Sequence, residues 1–70
     1  MIGKTKKGTE VWIDFCPDTE ENKGGFYCRI YNNPDGSDFF DDFVIRAEEL
    51  SEENIPELMA KKYVEAIIDY

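Results

Sequence analysis

The segment Asn32-Asn33-Pro34-Asp35-Gly36 constrains this chain more than any other. Proline pre-sets φ at the first central position of a turn, Asp bonds back to its own backbone, and Gly accepts a positive φ. On one side, residues 26–31 alternate: Phe26, Cys28 and Ile30 share a face, and Tyr27, Arg29 and Tyr31 share the other. On the far side, Phe39–Ile45 is rich in aromatic and β-branched residues. A strong turn between two such runs predicts a β-hairpin, and with it an antiparallel sheet. An isolated hairpin is barely stable in water, so further elements must pair with it or cover it.

Residues 10–15 supply the next strand, with Val11, Ile13 and Phe15 on one face and Trp12 and Asp14 on the other. Residues 2–5 pair with that strand across Lys6-Lys7-Gly8 if a fourth strand forms. Residues 17–25 read as a polar loop, punctuated by Pro17 and by Gly24-Gly25. The strand Phe39–Ile45 poses a parity problem. Phe39, Phe43 and Ile45 share a face with Asp41, while Phe40 and Val44 share the opposite face with Asp42. Whichever face is the core, one aspartate interrupts it, unless a bulge resets the alternation or the strand lies at an edge and uses the charge against edge-to-edge pairing.

The C-terminal third predicts a helix. Asn54 with Glu57 three residues on fits a capping box, Ser51 is a rival cap, and Pro56 is tolerated in the first turn. At helical spacing Ile55, Met59, Tyr63, Ala66, Ile67 and Tyr70 form one stripe, which Ala60, Val64 and Ile68 widen. The expected fold is therefore α+β: a small antiparallel sheet of three strands, or four, followed by one C-terminal helix packed on one face. Its expected core is Val11, Ile13, Phe15, Cys28, Ile30, Phe43, Ile45, Ile55, Met59, Tyr63 and Ile67. The 70 residues are read as a single domain.

Charge narrows the function. The formal net charge is −8, with 16 acidic residues against 8 basic ones. All of that excess lies in residues 35–57, where Arg46 alone faces Asp35, Asp38, Asp41, Asp42, Glu48, Glu49, Glu52, Glu53 and Glu57. Such a block repels nucleic acid and anionic lipid, and its complement is a basic partner. There is no histidine, which removes the commonest general base and the commonest transition-metal ligand. Two cysteines, Cys16 and Cys28, cannot complete a four-ligand zinc site. With no secretory segment ahead of them, both are read as reduced thiols of a cytoplasmic protein, and a disulfide needs their strands to pair suitably. Around Asn33-Pro34-Asp35-Gly36-Ser37 a calcium loop would place Tyr31 at its first ligand position, which offers no carboxylate. Asp41 and Asp42 are adjacent on a strand and point to opposite faces, so they form no catalytic dyad. No cofactor and no enzyme activity are expected.

Two binding readings follow. In the first, a small acidic protein presents Asp35, Asp38, Asp41, Asp42, Glu48, Glu49, Glu52 and Glu53 to a basic partner protein, mimicking nucleic acid and inhibiting a protein that binds it. In the second, an interaction module or homodimer uses an apolar helix face containing Val64 and Ile68. Direct nucleic-acid binding through Tyr27, Arg29 and Tyr31 runs against the net charge.

Overall fold

The predicted hairpin forms. In the computed structural model, which describes residues 1–18 and 20–67, strand β3 (Gly25–Tyr31) pairs antiparallel with β4 (Phe39–Ile45). Gly36 takes a φ of 77° and its N–H donates to the Asn33 carbonyl. Side chains hold the turn in shape. The Asp38 N–H donates to Asn33 Oδ1, and the Ser37 N–H donates to Asp35 Oδ1.

Two more strands complete an open antiparallel sheet of order β1-β2-β3-β4, with β1 at Ile2–Lys4 and β2 at Glu10–Asp18. The β1–β2 connection turns at Gly8, whose φ is 87°. A 3₁₀ turn, Ala47–Glu49, follows β4, and helix α1, Pro56–Glu65, closes the described fold. The architecture is thus α+β, with four strands and one C-terminal helix on one face.

β2 runs past the expected boundary at Phe15 and includes Pro17, which pairs with Phe26. β1 covers only residues 10–12 of β2, so at Pro17 the far side of β2 is open. A residue without an N–H is tolerated where no neighbour strand needs that donor.

Register settles the parity of β4. Ile13, Ile30 and Asp41 align across the inner face, as do Phe15, Cys28 and Phe43. Between Ile30 and Tyr31 the register shifts, so that Ile30 faces Asp41 while Tyr31 faces Phe39. Phe40 is the extra residue, and the bulge lets it turn inward and pack against the core. Asp41 still falls on the inner side, at the sheet edge. Its carboxylate accepts from the Asp42 N–H and from the Tyr63 hydroxyl.

The core consists of Val11, Ile13, Cys28, Ile30, Ile45, Ala60 and Val64, all essentially inaccessible to solvent. This corrects the expected helix phase. Ala60 and Val64 face the sheet; Met59 and Ile67 pack at their flanks, while Ile55 and Tyr63 are 47% and 37% exposed. A Cβ on Gly3 would stand 3.3 Å from Ile13 Cδ1 and 3.5 Å from Val64 Cγ1, so the helix sits almost on the β1 backbone there. Tyr63 instead reaches along the sheet and stacks on Phe43, with ring centroids 4.2 Å apart. The helix begins differently from expectation too. Ile55, not Asn54, is the N-cap and Pro56 stands at the first helical position, whereas Ser51 Oγ accepts from the Glu53 and Asn54 N–H groups in the preceding loop. The predicted extension of the helix through Ile68 and Tyr70 lies outside the described residues.

Candidate functional site

The acidic block begins on an exposed edge of the sheet because β4 is the edge strand. Asp35 and Asp38 sit in and after the β3–β4 turn, Asp41 and Asp42 in the strand, Glu48 and Glu49 in the 3₁₀ turn, and Glu52 and Glu53 in the loop before α1. From Asp38 to Ile45 the extended chain spans about 24 Å at ~3.4 Å per residue. All eight carboxylate residues are exposed except Asp41, which is half-buried. The strand thus spaces Asp38, Asp41 and Asp42 along one edge, and the 3₁₀ turn and the loop after it carry the four glutamates past its end. Asp41 and Asp42 lie on opposite faces of that edge, so no surface gathers all eight.

Four of the eight carboxylates are held by neutral donors. Asp42 accepts from the Tyr27 hydroxyl, Asp41 from Tyr63, Asp35 from the Ser37 N–H at 2.9 Å, and Glu49 from the Arg46 N–H at 3.4 Å. Among the described residues none of the eight is in an ion pair. The Ser37 N–H holds the Asp35 carboxyl below the usual carboxylate range. Neutral donors position an anion without cancelling its charge, so the field of the row reaches solvent. The same bonds raise both phenols: Tyr27 chiefly through its bond to Asp42, Tyr63 chiefly through burial and then through its bond to Asp41.

Val64 does not belong to a free helix face. It is fully buried, beside Gly3 of β1, and Ile68 lies outside the described residues. The apolar groups that α1 and its approach leave exposed are Ile55, Leu58 and Tyr63, at 47%, 37% and 37%.

A second surface was only partly visible in the sequence. The outer face of the sheet, opposite α1, carries three cross-strand rows. The first joins Ile2, Trp12, Tyr31 and Phe39. The second joins Asp14, Arg29 and Asp42, and the third joins Cys16, Tyr27 and Val44. Ile2, Phe39 and Val44 are 57%, 54% and 50% exposed, and no described element covers this face. Arg29 lies over the Tyr27 ring at 5.4 Å. Cys16 points to this face and Cys28 to the core, so the two thiols stay free, and burial pushes Cys28 up to about 11.

Asn22 was not anticipated. Its side chain clamps the loop before β3 to the end of β4: Nδ2 donates to the Ile45 carbonyl at 2.8 Å, and Oδ1 accepts from the Ala47 N–H at 3.0 Å. This clamp fixes where the edge strand ends and the 3₁₀ turn begins, and so where Glu48 and Glu49 project. A lone Asn in a polar loop gives no sequence signal of such a role.

Among the described residues no group of three or more His, Cys, Asp or Glu side chains is arranged to hold a metal ion. No helix among them is long and apolar enough to cross a membrane. Comparison with protein-family models, with curated proteins and with solved structures finds no match to this chain.

Proposed function

We propose that this chain is a small, non-enzymatic, cytoplasmic protein-binding domain that presents its acidic edge to a basic groove of another protein. The groove would be one that otherwise holds nucleic acid, and the chain would act by occupying it. The observation that supports this reading is the row itself: exposed carboxylates running along and beyond an edge strand, four of them held by neutral donors and none, among the described residues, paired with a cation. A rigid row of anions offers a partner's Arg and Lys what a phosphate backbone offers, with long-range steering and sensitivity to salt. The helix-face alternative loses Val64 to the core, and among the described residues it keeps Ile55, Leu58 and Tyr63 as exposed large apolar groups.

The reading is tested by capture from a nuclease-treated lysate of the source cell, eluted in steps of rising salt, followed by competition with duplex DNA. Basic nucleic-acid-binding proteins released at moderate salt, and displaced by DNA, are the expected result. Partners that resist high salt and ignore DNA would overturn it.

A further inference from the structure

We propose that the open outer face of the sheet is the interface of a two-fold symmetric dimer of this chain. The inference goes beyond the acidic-edge reading; the two share Asp35, Asp38 and Asp42, but the variants that test the dimer change only Asp14, Arg29 and Phe39, so either can fail without the other.

An exposed apolar sheet face is commonly buried by a second sheet packed about 10 Å away with strands roughly aligned. What selects a second copy here is the charge pattern. The middle row reads minus, plus, minus through Asp14, Arg29 and Asp42. A uniformly basic segment laid on this face would set a cation against Arg29. A nucleic acid would set phosphates against both aspartates. A copy of the same face matches it once the two-fold axis runs parallel to the strands, midway between β2 and β3.

That axis reverses the strand order and keeps each row at its own level. β2 then faces β3 of the second copy, and β1 faces β4. Asp14 of each copy meets Arg29 of the other. Trp12 meets Tyr31, and Ile2, 57% exposed, meets Phe39, 54% exposed. The ends of the faces match as well. Lys4, Lys6 and Lys7 lie on and just after β1, at the level of the β3–β4 turn with Asp35 and Asp38. The same operation brings each basic corner over an acidic corner of the partner copy. One symmetry axis therefore satisfies the apolar row, the two Asp14–Arg29 crossings and the corners together.

Four strands at ~4.8 Å spacing and about six residues at ~3.4 Å give a footprint of about 400 Å² on each copy. Counted over both copies with side-chain relief, this lies near the ~1,000 Å² at which specific interfaces begin, so the dimer should dissociate in the micromolar range.

The test is sedimentation equilibrium from about 1 to about 500 µM at near-physiological salt, on wild type and on the exposed variants Arg29→Asp and Asp14→Arg. Wild type should move from 8.2 kDa toward twice that mass. Each variant places like charges at both Asp14–Arg29 crossings and should associate at least about tenfold more weakly. An equimolar mixture of the two variants restores both crossings and should recover association as a heterodimer. Phe39→Asp, opposite Ile2 of the second copy, should weaken association without changing the charge row, with folding of every variant checked by circular dichroism. A wild type that stays at 8.2 kDa throughout overturns the proposal. So does a folded mixture of the two charge variants that associates no better than either alone.

Discussion

Replacing Gly25 with alanine tests the account of how the acidic edge is anchored. Gly25 needs no unusual backbone angle, since positive φ occurs only at Gly8, Gly24 and Gly36. Its constraint is space. An added Cβ would stand 2.0 Å from Asn22 Nδ2 and 2.4 Å from the Ile45 carbonyl oxygen. The Asn22 side chain can swing away, but it then gives up its bonds to the Ile45 carbonyl and the Ala47 N–H. Each such bond contributes about 1 kcal/mol net. The Ile45 oxygen is backbone and cannot swing, so the end of β4 must shift, an overpacking cost of about 1–3 kcal/mol. The expected loss is thus about 3–5 kcal/mol. A chain of this size has about 4–10 kcal/mol in total. Urea unfolding followed by circular dichroism should show a midpoint lower by about 2–4 M at a typical slope for a small domain. Gly3→Ala is the control: its Cβ meets only the flexible tip of Ile13 at 3.3 Å and ordinary contacts beyond, and it should cost no more than about 1 kcal/mol. The double variant Asn22→Ala/Gly25→Ala should be about as unstable as Gly25→Ala alone, because the Ile45 oxygen remains in the way. A Gly25→Ala chain within about 1 kcal/mol of wild type, or a double variant restored to wild type, would refute the reasoning.

The other predictions concern the core, the thiols and the phenols. Val64→Asp should prevent folding, whereas Leu58→Asp on the exposed side of the same helix should leave the thermal midpoint within a few degrees of wild type; equal effects would contradict the helix phase. At about pH 8 one thiol per native chain, Cys16, should react with a disulfide reagent, and the second only after unfolding, because Cys28 is buried and its thiolate disfavoured. Tyr63 and Tyr27 hold their protons more tightly in the folded chain than at the usual value of 10.0. Their stabilisation is therefore full below that pH and is lost as pH rises through the raised folded values. Tyr63→Phe should flatten the fall in stability above pH 10.0, and an unchanged slope would show that the bond to Asp41 contributes nothing.

Turn chemistry and strand alternation carried the hairpin, because these signals are local, whereas the capping box at Asn54 set the helix cap one residue too early. What escaped depends on contacts between elements. Helical spacing centred the stripe on Ile55, Met59 and Tyr63, whereas the sheet receives Ala60 and Val64, one position further on. Pro17 read as the start of a loop, yet it sits within β2 because β1 is too short to reach it. The conflict between Asp41 and Asp42 was legible as a conflict. Only the pairing of β4 with β3 showed that Phe40 is the residue displaced. As for the candidate site, the acidic block was plain from composition by segment, but its layout along an edge required the strand order.

The central claim is that the carboxylates of this edge make the functional contact. The most direct test captures partners from the source lysate with three folded baits: wild type, one with Asp38, Asp42, Glu48 and Glu49 changed to Lys, and one with Ile55 and Leu58 changed to Lys. If the edge carboxylates make that contact, the edge-reversed bait loses the partners recovered by wild type and the helix-face bait keeps them. Partners retained by the edge-reversed bait and lost by the helix-face bait would contradict it.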